Sequence, residues 1–100
     1  MAVDLFCYSV EPVAEVQRKI DLLSAQHKGL FAERFLIYKA GNANQIHKKI
    51  VLEHGLNASS EFMVSLNDKS AADLVPTVVL LIKYALGDGG VIIMSDGVLR

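Results

Sequence analysis

Asp73-Leu-Val-Pro-Thr-Val-Val-Leu-Leu-Ile-Lys-Tyr-Ala-Leu86 runs straight into Gly87-Asp-Gly-Gly90 and Val91-Ile-Ile-Met-Ser95. Read as an apolar helix, a glycine turn and an apolar strand, this stretch decides the fold. At about 100° per residue, Leu74, Val75, Val78, Val79, Leu81, Ile82, Ala85 and Leu86 cover one broad arc, and such an arc must meet a sheet. Thr77 and Lys83 take the opposite side, together with Leu80 and Tyr84. Two large apolar side chains where a helix normally faces water point to a covering partner.

The chain has 100 residues, 52% of them hydrophobic, and a mean hydropathy of +0.35. That length predicts one domain with one core, and that composition argues against disorder. The 73–86 run is shorter than the roughly 18 apolar residues of a membrane span and carries Pro76, Thr77 and Lys83, so it reads as a core helix. Met1-Ala-Val-Asp4 shows no basic region or cleavage pattern, and a cytoplasmic location is the expectation. Lys and Arg number 10 against 11 Asp and Glu, which provides no general field for nucleic acid or an anionic membrane. The single cysteine, Cys7, allows no intrachain disulfide and fits a reducing compartment.

Outward from the decisive stretch, residues 60–67 alternate, with Phe62, Val64 and Leu66 against Glu61, Met63 and Ser65, as in a half-exposed strand. Residues 2–10 are apolar on both faces, Val3, Leu5 and Cys7 opposing Phe6, Tyr8 and Val10. A two-faced strand is central and needs cover on both sides. Glu11-Pro12 opens an amphipathic helix whose buried face is Val13, Val16, Ile20 and Leu23, with a Glu15–Lys19 pair outside and a stop at Lys28-Gly29. A strand is expected over residues 33–39, although residues 30–34 also suit a helix. Asn42 or Asn44 can cap a helix over residues 45–54 that ends at Gly55, with Leu56 making the closing apolar contact. Ser70 or Asp73 is expected to cap the 73–86 helix, and Asp96-Gly97 signals a hairpin leading to a short last strand.

The order is β-α-β-α-β-α-β in a single α/β (α+β) domain, with a mixed sheet of four or five strands and three helices. Leaving out the middle helix gives β-α-β-β-α-β, the split order of ferredoxin-like domains. A three-layer sandwich with a mostly parallel sheet is the alternative. In the first, helices cover one face and a partner the other; in the second, the chain covers both.

Few residues announce chemistry. His47 and His54 lie seven apart on one helix, a spacing that metal sites seldom use, and neither a metal nor any cofactor is expected. Cys7 reads as a small buried hydrophobe rather than a nucleophile. Gly87–Gly90 follows a helix, whereas a phosphate cradle needs a strand leading into one. The loops with that polarity are residues 39–44, with Lys39, Asn42 and Asn44, and residues 67–70, with Lys69 and Ser70; each suits a small anion. No nucleophile–base–acid pattern is visible, so the expectation is against an enzyme. Surplus apolar surface without catalytic signature predicts a non-catalytic interaction module, self-associating as a homodimer or acting as a regulatory or inhibitory partner of another protein. Its expected interface is Thr77, Leu80 and Tyr84. The alternative is a small-anion or phosphometabolite-binding protein, or a minor enzyme, using the two strand-to-helix loops.

Overall fold

The computed structural model describes residues 3–100; the first residue of the expected 2–10 strand lies outside them. Strands β1 (Asp4–Ser9), β2 (Phe35–Ile37), β3 (Gly41–Asn42), β4 (Ser60–Leu66), β5 (Val91–Ser95) and β6 (Val98–Leu99) form one sheet. Helices α1 (Val13–Gln26), α2 (Gln45–Leu52) and α3 (Val75–Leu86) alternate with them. Sheet order is β2-β4-β1-β5-β6, with β3 also pairing β4. Without β3 and α2, this is the split arrangement that the element order predicts.

All pairings are antiparallel, which corrects the expected mixed sheet, and the strands number six rather than four or five. Helical crossovers carry the chain from β1 to β2 and from β4 to β5. Each crossover skips one position, and a strand of opposite direction fills it, so parallel strands never become neighbours.

Helices α1 and α3 pack side by side on one face. Val16, Ile20 and Leu23 of α1 and Val75, Val78, Val79, Ile82 and Leu86 of α3 meet Leu5, Cys7, Phe62, Val64, Val91 and Ile93 of the sheet in the main core. On the other face α2 forms a smaller cluster, in which Val51, Leu56, Ala43 and Ala58 bury Tyr8 while Ile92 and Met94 pack at its edge. Neither sequence alternative holds in full. The chain covers most of one face, leaving Val98 at its β6 edge exposed, and the other in part.

Local chemistry explains the boundaries that moved. Gly29 stays in the right-handed helical region (φ −61°) and a π-helical turn, Leu30–Arg34, follows, so no left-handed cap ends α1 and β2 begins only at Phe35. Glu15 pairs with Arg18, while Lys19 reaches Glu11 at 2.6 Å, replacing the expected Glu15–Lys19 pair. Neither Ser70 nor Asp73 caps α3. A 3₁₀ turn, Lys69–Leu74, leads into it, Asp68 caps that turn, and the Val75 N–H donates to Ala72. Pro76 thus sits in the first turn of α3, where its missing N–H costs little. Gly55 takes φ 86° and the Leu56 N–H returns to the Val51 carbonyl, so the chain turns where the sequence predicts, although α2 itself ends at Leu52 rather than at residue 54. Asp96 and Gly97 have φ of 53° and 77°, which makes the tight turn between β5 and β6.

Candidate functional site

Register fixes what the second face of the sheet presents. Paired residues of antiparallel neighbours share a face. Tyr8 stands between Ile92 and Glu61; Phe6 stands between Met94 and Met63; Asp4 stands beside Ser65, which in turn pairs with Leu36. Tyr38 donates its N–H to the Met63 carbonyl and extends the Phe6 row past β4, and Leu99 extends it beyond Met94 at the other edge. Helix α2 covers the Tyr8 row. The next row, Leu99-Met94-Phe6-Met63-Tyr38, runs across the whole sheet beside it, with Phe6 40% and Tyr38 46% exposed.

At the step between α2 and this row lies a recess lined by Phe6, Tyr8, Tyr38, Lys39, Asn42, His47 and Glu61. Glu61 organises its floor. The Glu61 carboxylate accepts the Asn44 N–H at 2.8 Å and lies 3.1 and 3.2 Å from His47 Nδ1. Asn44 in turn caps α2, its side-chain oxygen accepting the Ile46 N–H at 2.8 Å. Glu61 therefore places a carboxylate against the positive end of α2 and joins that helix to β4. Tyr8 meets His47 edge-on, with ring centroids 5.9 Å apart. Burial first, then the negative charge of Glu61 and a smaller influence of Cys7, push the Tyr8 phenol above its usual range.

The sequence-predicted residues divide between three places. Lys39 and Asn42 line the recess, and Asn44 caps α2 at its side. Lys69 and Ser70 are elsewhere, at the 3₁₀ turn before α3, where the Asp68 carboxylate accepts both the Ser70 N–H at 3.0 Å and its hydroxyl at 2.8 Å. Those Ser70 donors hold the Asp68 carboxyl below its usual range. Each loop offered to an external anion thus already holds a carboxylate of the chain itself. Thr77, Leu80 and Tyr84 form an exposed ridge on α3, Leu80 at 68% and Tyr84 at 92% exposure. Beside them α1 and α3 enclose an apolar groove lined by Leu22, Leu23, Leu81 and Ala85.

Glu61, which looks like a solvated strand residue in sequence, is the organising group that local reading misses. Its partners lie 14 and 17 positions away, beyond any local pattern. Cys7 is wholly buried, and burial raises its thiol far above the usual range, so it supplies no thiolate nucleophile. Among the described residues, no group of three or more His, Cys, Asp or Glu is placed to hold a metal ion. Among the described residues, no helix is long and apolar enough to cross a membrane.

A relative from Burkholderia pseudomallei (strain 1026b), immunity protein CdiI-2, is 38% identical over 100 residues, spanning 100% of this chain and 99% of the relative. A chain of the CdiA-CT/CdiI toxin and immunity complex from Burkholderia pseudomallei aligns with a TM-score of 0.89 at 38% identity, covering 95% of this chain and 92% of that one. The family described as CDI system immunity component matches residues 1–98. With likeness over the full length in sequence and in fold, the chain belongs to the family of CDI system immunity components.

Proposed function

We propose that this chain neutralises a CdiA-CT toxin by binding it as a non-catalytic inhibitory partner, acting in the cytoplasm, where Cys7 remains a free thiol. The observation that carries this reading is the full-length likeness, at a TM-score of 0.89, to a chain of a toxin and immunity complex. Two uncovered apolar surfaces fit inhibition by occupation of a partner's surface. The test is growth. Cells producing a growth-arresting CdiA-CT domain, from the Burkholderia pseudomallei complex or from this chain's own genome, should resume growth when the chain is produced with it. Continued arrest with every such domain, at confirmed levels of folded chain, counts against the reading.

The α3 ridge favours a second reading, self-association through Thr77, Leu80 and Tyr84. Tyr84 is 92% exposed and Leu80 68%, side by side on an apolar helix. Light scattering across a concentration series decides it. A dimer that Leu80→Asp and Tyr84→Asp dissociate supports this reading, and a monomer throughout removes it.

A further inference from the structure

Resting on the toxin-binding reading, we propose that the toxin domain docks on the uncovered strip of the sheet beside α2, centred on Phe6 and Met63, and meets it with an apolar centre flanked by basic side chains. The register builds this surface without appeal to loops. Phe6 and Met63 are directly paired, with Met94 on one side and Tyr38, one residue past β2, on the other, so four large apolar side chains stand in one row. With Leu99 on β6 the row crosses four strands and ends on the segment after β2, about 19 Å at the usual spacing of roughly 4.8 Å. Aromatic residues and methionine are enriched at the centres of protein interfaces, where rigid rings give contact area at low entropic cost and thioethers adapt to shape. The uncovered strip, about 19 by 13 Å with the Asp4 row beside the apolar one, fits inside a footprint of about 800 Å² per partner.

Charge gives the partner's chemistry. On the same two central strands, the Phe6–Met63 pair is bracketed by Asp4 with Ser65 on one side and by Tyr8 with Glu61 on the other. Both carboxylates are held in place: Asp4 accepts the Ser65 hydroxyl at 2.7 Å, and Glu61 accepts from Asn44 and faces His47. They stand two residues to either side of the apolar pair, about 13 Å apart along the strands. A carboxylate offers about four acceptor sites, so each retains capacity for an incoming guanidinium or ammonium. Lys39 is the lysine that lines the recess, at the Tyr38 corner. A partner carrying a hydrophobic knob between two cations matches this pattern and would be steered to it in low salt. The α3 ridge differs in kind. Its adjacent lysines are engaged within the chain, Lys19 with Glu11 and Lys83 with the Arg100 carbonyl, and it has no pair of fixed like charges to orient a partner.

Calorimetric titration of CdiA-CT domains into purified variants tests the assignment. Phe6 is 40% exposed and Met63 half-buried, so Phe6→Ala and Met63→Glu should leave unfolding cooperative while weakening toxin binding by about tenfold and by about 100-fold. Asp4→Lys should weaken binding by about tenfold in low salt and by much less in high salt. Leu80→Asp and Tyr84→Asp should leave affinity within about threefold of the unmodified chain. Full affinity in Phe6→Ala and in cooperatively folded Met63→Glu overturns the docking face, as does a loss confined to the α3 variants. Failure of the unmodified chain to bind any CdiA-CT domain instead removes the toxin reading, and the docking proposal with it.

Discussion

Replacing Glu61 should loosen α2 from the sheet, and the cost can be worked from its partners. The carboxylate receives the Asn44 N–H at 2.8 Å, a charge-assisted bond at a helix N-terminus, and faces His47 Nδ1 at 3.1 Å. Hydrogen bonds to charged groups contribute about 1.5–3 kcal/mol when buried, and a carboxylate at a helix N-terminus about 0.3–1 kcal/mol. Here the Glu61 side chain is 27% and the His47 side chain 40% exposed, so the histidine pair belongs near the surface value of about 0–1 kcal/mol. Glu61→Ala is therefore expected to destabilise by about 2 kcal/mol. Glu61→Gln keeps an acceptor for Asn44 but loses the charge, and about 1 kcal/mol is expected. For a domain of this length, 2 kcal/mol lowers Tm by roughly 8–16 °C. Urea unfolding of both variants, together with His47→Ala and the double variant, measures the series. A Glu61–His47 coupling of about 0.5–1 kcal/mol is expected from the cycle. Glu61→Ala within 0.5 kcal/mol of the parent (a threshold of about the size expected for a neutral surface change) would refute the joining role assigned to this carboxylate.

Two further predictions concern the packed interior. Val51 is the one α2 residue buried completely, and Val51→Ala should cost about 2 kcal/mol and increase hydrogen exchange in α2 more than in β1; equal effects on both would mean that α2 unfolds only with the whole domain. Cys7, fully buried with its thiol held neutral, should resist iodoacetamide in the native state and react once urea unfolds the chain. Its linkage has a definite sign. Because the folded thiol keeps its proton where the unfolded thiol loses it, the folded state binds more protons above the ordinary thiol range, and stability should fall as pH rises past that range. Cys7→Ser is a poor control because it buries a hydroxyl, whereas Cys7→Ala should remove the part of the alkaline loss that begins in the thiol range and leave the later part that the raised Tyr8 phenol contributes; an unchanged onset in Cys7→Ala would assign the earlier part to another group.

Much of this architecture can be read along the chain because it follows from local period and turn chemistry. Alternation in residues 60–66, the two apolar faces of β1, the left-handed position of Gly55 and the Asp96-Gly97 turn each follow from side-chain size, burial or backbone freedom over a few residues. Strand direction does not. Whether a crossover lands beside its starting strand or one position further is decided by which faces pair across the whole sheet, and here the skipped positions make every neighbour antiparallel. The start of α3 was obscured because Asp68, two residues before Ser70, takes the capping role and allows a 3₁₀ turn to lead into the helix. The same limit hid the centre of the candidate face. Phe6, Met63 and Met94 come from three separate strands and Tyr38 from the residue after a fourth, and only the register places them in one row. By contrast, Thr77, Leu80 and Tyr84 share one helix, so their exposure was legible from angle alone.

Assembly with a toxin is tested most directly by the mass, in solution, of the unmodified chain mixed with a CdiA-CT domain, measured by light scattering on the eluting species. A single species whose mass is the sum of one copy of each protein is expected at equimolar mixing, with neither protein eluting alone. Separate elution of the two proteins at their individual masses would count against it.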